Sequence, residues 1–474
     1  MGDIPEQFRV INTPDKGRVC VATQGFKAGD ILFEDTAFVH ASELPERCLA
    51  CRGPHEASSC EELMAGGSLP CPPDLLGELD AMADDMCDLD AVNTLDRARC
   101  FIQCMLMYRE NPLSLDSLGA LTVANLPRCV ESVVAIRQSA PGLLPEGMSD
   151  DAAAKILGAL NTNSHELEQV EGSGLFLLAC IMEHDCAPNC SFTTFGDKLW
   201  LTAIREVGEG ERLSIDYGNN FYLPTTERQA ELEDIYGFVC TCRACTVLPD
   251  RCRAFLCPSK DCRNGRVCPH GDGEDHHHGA GGGGGDDEEE EAEDRVSKNW
   301  GCLDCGRQCS TAEIEALVAA EEALAQAMEE VDDLTGVESI DALVRDARVI
   351  HPSHYVVFWA LESTAKRLSR ESSGGMGAQQ ERLAVEAEAA WTRLMAAVED
   401  ALPALHHEKV VYLDALAQAR VVCGDIKGAR DAYEEAYRVS VMVSGADTPP
   451  TLDVKSLAER PPTTANELRA RYTS

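Results

Sequence analysis

The chain has 474 residues, 23 of them cysteines, and a formal net charge of −40 at pH 7. This length suggests two to four domains. No apolar run approaches the ~18 residues needed to cross a bilayer, so we expect no membrane association. We expect the protein to be located in the cytoplasm, the nucleus or both. The acidity disfavours direct binding of nucleic acid, whose phosphates need a positive surface. In a reducing compartment, 23 thiols indicate metal ligands rather than disulfides.

Short runs typical of β-strands alternate with turns in the first 40 residues. Residues 18–22 (RVCVA) and 31–34 (ILFE) are predicted strands, with a turn at residues 25–30 between them. From Cys48 to about Asp90, Gly, Pro, Cys and acidic residues dominate. This composition predicts an insert with little core of its own.

Helical spacing of apolar residues follows the insert. It predicts one helix over residues 93–108, on which Cys100 and Cys104 are expected to lie in the core, and a second around residues 118–134. An apolar run at residues 175–182 is too short for a membrane span and is predicted to be a buried segment.

Two short strings stand out in the middle of the chain, residues 183–189 (EHDCAPN) and residues 210–217 (GERLSIDY). Residues 199–204 and 212–215 have the composition of strands, and a Gly-Glu-Gly turn at residues 208–210 separates them. The first string therefore follows a buried segment, and the second ends a strand.

Three cysteines follow at metal-ligand spacing. Cys240, Cys242 and Cys245 form a Cys-x-Cys-x-x-Cys group that supplies three thiolates. Tetrahedral structural zinc takes four ligands. A fourth ligand must therefore come from elsewhere in the chain.

Two further cysteine pairs predict a zinc ribbon, with unpaired loop cysteines as the alternative. These pairs are Cys257 with Cys262 and Cys302 with Cys305. Between them lies a His-, Gly- and acid-rich tract, residues 269–299, which cannot bury enough apolar surface to fold and is predicted to be a disordered loop. The residues that compete as ligands are His276, His277, His278 and Cys309.

From Thr311 onward the chain is rich in Ala, Glu and Leu with helical periodicity. Residues 408–417, a break at Gly424 and residues 429–437 resemble a tetratricopeptide-type helical hairpin. We expect a bundle of antiparallel helices, through which the protein binds partner proteins.

Taken together, the two central strings and the cysteines after residue 239 resemble the core of a SET-domain methyltransferase. Lys16-Gly17-Arg18 near the start, Cys48-x-x-Cys51 after it and the helical end are similar to the SET-and-MYND (SMYD) family. The resemblance implies an α+β multidomain fold. Its parts are a β-rich SET domain in which the first string passes under the second in a knot-like crossing, small zinc modules, and an all-α C-terminal tetratricopeptide-like domain.

The same resemblance sets the predicted domain boundaries. They are residues 1–47 for the N-terminal part of the SET domain, 48–92 for a degenerate MYND-like insert, 93–239 for the helical insertion and SET core, 240–310 for the post-SET and zinc-ribbon-like region with its loop 269–299, and 311–474 for the helical domain.

The resemblance also implies metal ligands. Cys186 of the first string would supply the fourth thiolate to the group at residues 240–245. In the insert, Cys48 and Cys51 stand where a MYND module holds zinc, but the second cysteine pair of that module is missing. The insert therefore either holds one zinc or has lost its metal, and the helper ligands in the first case would be His55, Cys60, Cys71 or Cys87.

An active site for S-adenosylmethionine and a lysine side chain is implied as well. Tyr217 stands where the family has its catalytic tyrosine, Tyr236 is the second catalytic candidate, and Phe238 would line the lysine channel and contact the cofactor. The remaining residues expected to bind the cofactor are Lys16, Gly17, Arg18, Asn163, Glu183 and His184.

Two functions from different classes follow. The first is a protein-lysine N-methyltransferase that uses S-adenosylmethionine and acts on a lysine in a basic protein segment, histone or non-histone. The second is a catalytically weak SET-domain scaffold for protein–protein interactions. The family has glycine where this chain has Val19, phenylalanine where it has His165 and asparagine where it has Glu183; Val19 and Glu183 favour the scaffold, whereas Tyr217 and Tyr236 favour the enzyme.

Overall fold

The computed structural model describes residues 5–13, 17–42, 86, 94–139, 142–167, 171–218, 221–262, 265–270, 299–330, 336–373, 377–402 and 404–472. Lys16, Cys48 and Cys51, nearly all of the predicted insert and most of the predicted loop at 269–299 lie outside these residues, so the predictions made for them stay predictions.

Short strands make up much of the N-terminal half. In chain order they are β1 (Phe8–Thr13), β2 (Gly17–Ala22), β3 (Ile31–Thr36), β4 (Val39–Ser42), β5 (Ser164–Leu167), β6 (Gly172–Leu175), β7 (Glu183–His184), β8 (Cys190–Phe195), β9 (Lys198–Ala203) and β10 (Ser214–Ile215). β1 and β2 form a hairpin, β9 lies between β3 and β8, and β6 lies between β4 and β5, all antiparallel. β7 and β10 pair in parallel.

A helical insertion separates β4 from β5. It comprises α1 (Leu95–Glu110), a 3₁₀ helix (Pro112–Ala120), α2 (Leu126–Ser139) and α3 (Asp150–Asn163). The helix predicted over residues 93–108 is confirmed as α1, and both of its cysteines are buried. The helical stretch predicted around residues 118–134 is found as α2, but α2 begins only at Leu126, because Asn125 adopts a positive φ of 49° that an α-helix does not accommodate.

Glycine at position 172 is required by close packing in the central strand β6. A Cβ atom added there would lie 2.1 Å from the carbonyl oxygen of Ala41 on β4. We expect Gly172→Ala to lower the free energy of unfolding by about 1–3 kcal/mol, as overpacking does elsewhere. Chemical denaturation would measure the change. Gly119→Ala is the matched control because nothing lies within 4 Å of a Cβ at that position, and an equal loss in both variants would contradict the packing argument.

The C-terminal half begins with α4 (Thr225–Tyr236) and α5 (Arg243–Thr246), followed by the antiparallel sheet β11 (Phe255–Leu256), β12 (Arg266–His270) and β13 (Asn299–Cys302). Eight helices follow within the described residues: α6 (Thr311–Glu330), α7 (Val337–Ala347), α8 (Tyr355–Ser373), α9 (Ala378–Ala401), α10 (Glu408–Cys423), α11 (Ile426–Ser444), α12 (Pro449–Glu459) and α13 (Ala465–Tyr472). This confirms the predicted all-α C-terminal region.

The break between α10 and α11 has a local cause. Gly424 takes a left-handed φ of 80° at the end of α10. The carboxylate of Asp425 then caps α11 by accepting a hydrogen bond from the Gly428 N–H at 3.0 Å. The sequence therefore ends one helix and starts the next within two residues.

The helical half packs directly on the SET-like sheet. Along α11, the Thr193 hydroxyl of β8 donates to the Ser444 hydroxyl at 2.8 Å, and both groups are buried. A Cβ at Gly29 would lie 2.9 Å from the carbonyl oxygen of Val441. The two halves thus touch backbone to backbone. No helix in the described part of the chain is both long and apolar enough to span a bilayer.

Candidate active site and metal centre

The two central strings lie side by side. Residues 183–184 pair in parallel with residues 214–215 through β7 and β10. Asn189, at the end of the first string, fastens the second: its amide donates to the carbonyl of Arg212 at 2.7 Å and accepts from the backbone N–H of Ser214 at 2.9 Å. Since Asn189 is buried, these bonds hold the strings in one register.

Three aromatic rings cluster just beyond β10. The ring of Tyr217 lies 4.9 Å from that of Tyr236 and 6.3 Å from that of Phe238, centroid to centroid. The Tyr217 hydroxyl donates to the Met182 carbonyl at 2.8 Å, and the Tyr236 hydroxyl donates to the Tyr217 carbonyl at 3.1 Å. Tyr217 is therefore fixed at both its backbone and its hydroxyl.

Burial keeps both tyrosine hydroxyls protonated at neutral pH. It raises the pKa of Tyr217 well above its usual value, with smaller contributions from Tyr236, Cys180 and Glu183. Burial also raises the pKa of Tyr236 to about 12, opposed by Arg97 and helped by Asp216. The cluster is thus a desolvated aromatic site bordered by carboxylates.

A group of four sulfurs lies beside the aromatic cluster. We call Cys186, Cys240, Cys242 and Cys245 the first cysteine group; all four Sγ atoms lie within 4.8 Å of one another. The Cys186 sulfur is 3.9 Å from that of Cys240 and 3.6 Å from that of Cys245. Tetrahedral Zn–S bonds of about 2.3 Å place sulfurs ~3.8 Å apart, so this group fits a structural zinc ion.

His184 connects the first cysteine group to the aromatic cluster. Its Nδ1 accepts a hydrogen bond from the backbone N–H of Tyr217 at 3.2 Å. Its Nε2 lies 3.2 Å from the sulfur of Cys186. Because Nδ1 acts as the acceptor, the neutral ring carries its proton on Nε2 and donates it to that sulfur.

The second predicted zinc set also comes together. We call Cys257, Cys262, Cys302 and Cys305 the second cysteine group, whose sulfurs again all lie within 4.8 Å. The Cys257 sulfur is 3.8 Å from that of Cys305, and the Cys262 sulfur is 3.8 Å from that of Cys302. These spacings fit zinc as well.

The residues expected to bind the cofactor surround the strings. Gly17 starts β2, and β2 is tied to the segment before β7 because the Cys20 thiol donates to the Ile181 carbonyl at 3.5 Å. The exposed Arg18 guanidinium donates to the Ala120 carbonyl at 2.5 Å. Asn163 ends α3, where its amide donates to the carbonyls of Thr122 and Ala159 at 2.8 and 2.9 Å.

These positions share one neighbourhood with the aromatic cluster. The Cys180 thiol donates to the Asn163 carbonyl at 3.4 Å. The same cysteine contributes to the raised pKa of Tyr217. Glu183 acts electrostatically on both Cys20 and Tyr217. Phe238 lies 6.0 Å from the His184 ring. The structure therefore links Asn163, Glu183 and Phe238 to the Tyr217 cluster.

The SET-domain family model matches residues 17–218. The N-lysine methyltransferase SMYD2 of Gallus gallus is 36% identical over 103 residues, which are 21% of this chain and 23% of that protein. The histone-lysine N-methyltransferase SMYD3 of Mus musculus is 35% identical over 109 residues, 23% of this chain and 25% of that protein.

This chain therefore contains a SET domain over residues 17–218 and is similar to SMYD proteins over part of its length. A longer match, to the N-lysine methyltransferase SMYD2 of Bos taurus, is 25% identical over 261 residues, 49% of this chain and 59% of that protein. The chain thus spans less than two thirds of each of these SMYD proteins. The solved structure of Rubisco LSMT bound to AdoMet covers 99% of this chain and 89% of that chain at 13% identity with a TM-score of 0.27, a score that supports no conclusion about this chain.

Two departures from the SMYD pattern have a clear structural setting. His165 on β5 packs edge-on against the rings of Phe176 and Phe192, at 5.8 and 5.0 Å, and burial lowers its pKa to about 4. It therefore acts as a neutral aromatic ring. Val19 is fully buried in β2 and its side chain belongs to the strand's packing.

Several residues around the site escaped sequence reasoning. Met182 supplies the carbonyl that holds the Tyr217 hydroxyl. Arg97 on α1 donates to the carbonyls of Leu160 and Asn161 at 2.6 and 3.2 Å, at the end of α3 next to Asn163. Met182 immediately precedes the first string, a position that could have been noticed; Arg97 carries no signal in the sequence.

Proposed function

We propose that this chain is a protein-lysine N-methyltransferase that uses S-adenosylmethionine. The observation that carries the proposal is the fixed Tyr217 in its aromatic cluster, beside the paired strings of a SET domain. A lysine stem fits between aromatic faces, which tolerate its cationic head. The SMYD relatives, named as lysine methyltransferases, support the same reaction.

The residues present fit the cofactor. When bound, S-adenosylmethionine would supply a methyl group from its positively charged sulfonium to the substrate amine, with neutral S-adenosylhomocysteine as the leaving thioether. The carboxylate of Glu183 acts electrostatically on Cys20 and Tyr217, and a carboxylate favours a cationic group. Asn163, the backbone of Gly17 and the His184 strand would hold the remainder.

The chain's own groups would prepare the amine. The hydroxyl hydrogen of Tyr217 is donated to the Met182 carbonyl. The phenol oxygen therefore has lone pairs available to accept a hydrogen bond from the amine N–H. This would aim the nitrogen lone pair along one line. Burial of the cluster excludes water and lowers the pKa of the lysine amine, which must be neutral to react.

We further propose a substrate lysine within a basic segment. Support comes from the acidity of the chain, −40 overall, and from Asp216 and Glu231, which act electrostatically on Tyr236 at the aromatic cluster. Opposite charges attract and speed encounter. We also propose that the protein is located in the cytoplasm, the nucleus or both.

Calorimetric titration with S-adenosylmethionine tests the enzyme against the scaffold. We expect saturable binding of about one molecule per chain, because the carboxylate of Glu183 and the backbone of β7 border one site. S-adenosylhomocysteine, which lacks the positive charge, is the control and should bind more weakly if Glu183 senses the charge. If the folded protein does not bind S-adenosylmethionine, the scaffold hypothesis is favoured. Glu183 and Val19, which depart from the SMYD pattern, are the residues that suggest this hypothesis.

A further inference from the structure

The second cysteine group lies outside the matched SET domain, residues 17–218, and takes no part in the proposed reaction. Its four sulfurs come from two separate stretches of chain, one before β12 and one at the end of β13. Cys309, a competing ligand in the sequence, does not belong to the group of sulfurs within 4.8 Å of one another. The structure therefore selects four of the five candidate thiols.

Backbone hydrogen bonds fix the chain around these sulfurs. The Cys257 N–H donates to the Gly265 carbonyl at 2.7 Å, and the Gly306 N–H donates to the Cys302 carbonyl at 2.9 Å. These bonds fix the two short loops that carry the four cysteines.

Close packing at Gly265 supports the same conclusion. A Cβ added at this position would lie 2.3 Å from the Cys262 sulfur and 2.7 Å from the Cys302 sulfur. Gly306, directly after Cys305, takes a left-handed φ of 71° that turns the chain back toward the site. The backbone thus approaches the sulfurs as closely as it can without a side chain.

The sheet that carries this group is bonded to the chain segment that leads into α8. Leu256 on β11 donates its N–H to the Val349 carbonyl at 2.7 Å, and the His351 N–H donates to the Ala254 carbonyl at 3.2 Å. A bridge also pairs Phe255 with Ile350. The chain leading into α8 therefore extends the sheet.

Buried side chains reinforce this junction. The fully buried Trp300 of β13 packs 5.3 Å from the ring of Phe255. The Arg253 guanidinium lies over the Trp300 ring at 5.1 Å and bonds both carboxylate oxygens of Glu321 on α6 at 3.0 Å. His354 lies 3.1 Å from the same carboxylate. Movement of β11 or β13 would break this ion pair.

We propose that the second cysteine group binds a zinc ion of its own, and that this ion braces the sheet β11–β13 against the helices that follow it. Four thiolates in a tetrahedron take zinc or iron, and zinc needs no redox partner. The ion fixes the ends of β11 and β13, which in turn hold Arg253 and the Val349 strand extension. Its effect is structural, since all four positions are occupied by protein ligands.

Metal analysis of the full chain tests the site. We expect the double variant Cys302→Ser/Cys305→Ser to contain about one zinc per chain less than the wild type, since a structural site needs all four ligands. Any zinc in the first cysteine group or the insert cancels in this difference. Cys309→Ser is the matched control and should keep the wild-type content. An unchanged zinc content in the double variant, or iron in place of zinc, would overturn the proposal.

Cysteine alkylation of the wild type covers the case in which the double variant does not fold. Cys305 is exposed, so a free thiol there would react at once. We expect it to be protected until a zinc chelator is added, with Cys423 reacting equally with and without the chelator. Reaction of Cys305 without chelator would refute a bound metal.

Hydrogen exchange tests the brace itself. In the folded double variant, the amides of Leu256 and His351 should exchange roughly tenfold faster or more, because their partners lose a fixed position. Amides of β9, in the SET sheet, should keep their rates. Unchanged exchange at the junction despite loss of zinc would mean that the ion does not brace the sheet against the helices.

Discussion

Replacement of Tyr217 with phenylalanine is expected to lower the rate of methyl transfer by about 10²–10³-fold, the cost of removing one preorganised polar group from an active site. Only the hydroxyl that bonds Met182 is lost, and the ring contacts to Tyr236 and Phe238 stay. The melting temperature and the affinity for S-adenosylmethionine should therefore change little. Radiometric methyl transfer to a lysine-rich protein, with calorimetry in parallel, measures the three quantities.

A second tyrosine provides the control. Tyr437→Phe removes a hydroxyl from α11 in the helical half and should leave the rate unchanged. If Tyr217→Phe methylates as fast as the wild type, the catalytic assignment of Tyr217 is wrong. If the wild type binds no cofactor and methylates no protein, the scaffold hypothesis replaces the enzyme.

Removal of one thiolate from the first cysteine group is expected to have the larger structural effect. Cys242→Ser should cost about one zinc per chain and several kcal/mol of stability, part of the ~10–16 kcal/mol that structural zinc contributes in small peptides. The loss should extend to catalysis, because Cys186 is both a member of the group and the neighbour of His184, which bonds the Tyr217 backbone.

Elemental analysis and thermal unfolding measure these changes. Cys423→Ser, on α10 and outside both cysteine groups, is the matched control. A Cys242→Ser protein that keeps its zinc would show that this group binds no metal. One that loses zinc but keeps full activity would separate the metal from the Tyr217 site.

The fold class and the SET domain were accessible from the sequence because their signals are local. The turns and strands at residues 18–34, the helix at residues 93–108 and the break at Gly424 follow from residue type and spacing over a few positions. The displaced start of the helix predicted around residues 118–134 shows the limit of that reasoning. Apolar spacing continued across Asn125, but the positive φ there depends on packing that periodicity does not report.

The sequence by itself determined the spacing within each cysteine pair and the presence of the two strings, since both are properties of adjacent residues. Only the tertiary structure decided which distant groups meet. Cys186 reaches Cys240 because β7 pairs with β10, and Cys309 stays outside the second cysteine group because the turns at Gly265 and Gly306 bring the other four sulfurs together. His165 and Arg97 gained their places in the same way, because burial and long-range contacts are set by how the elements pack.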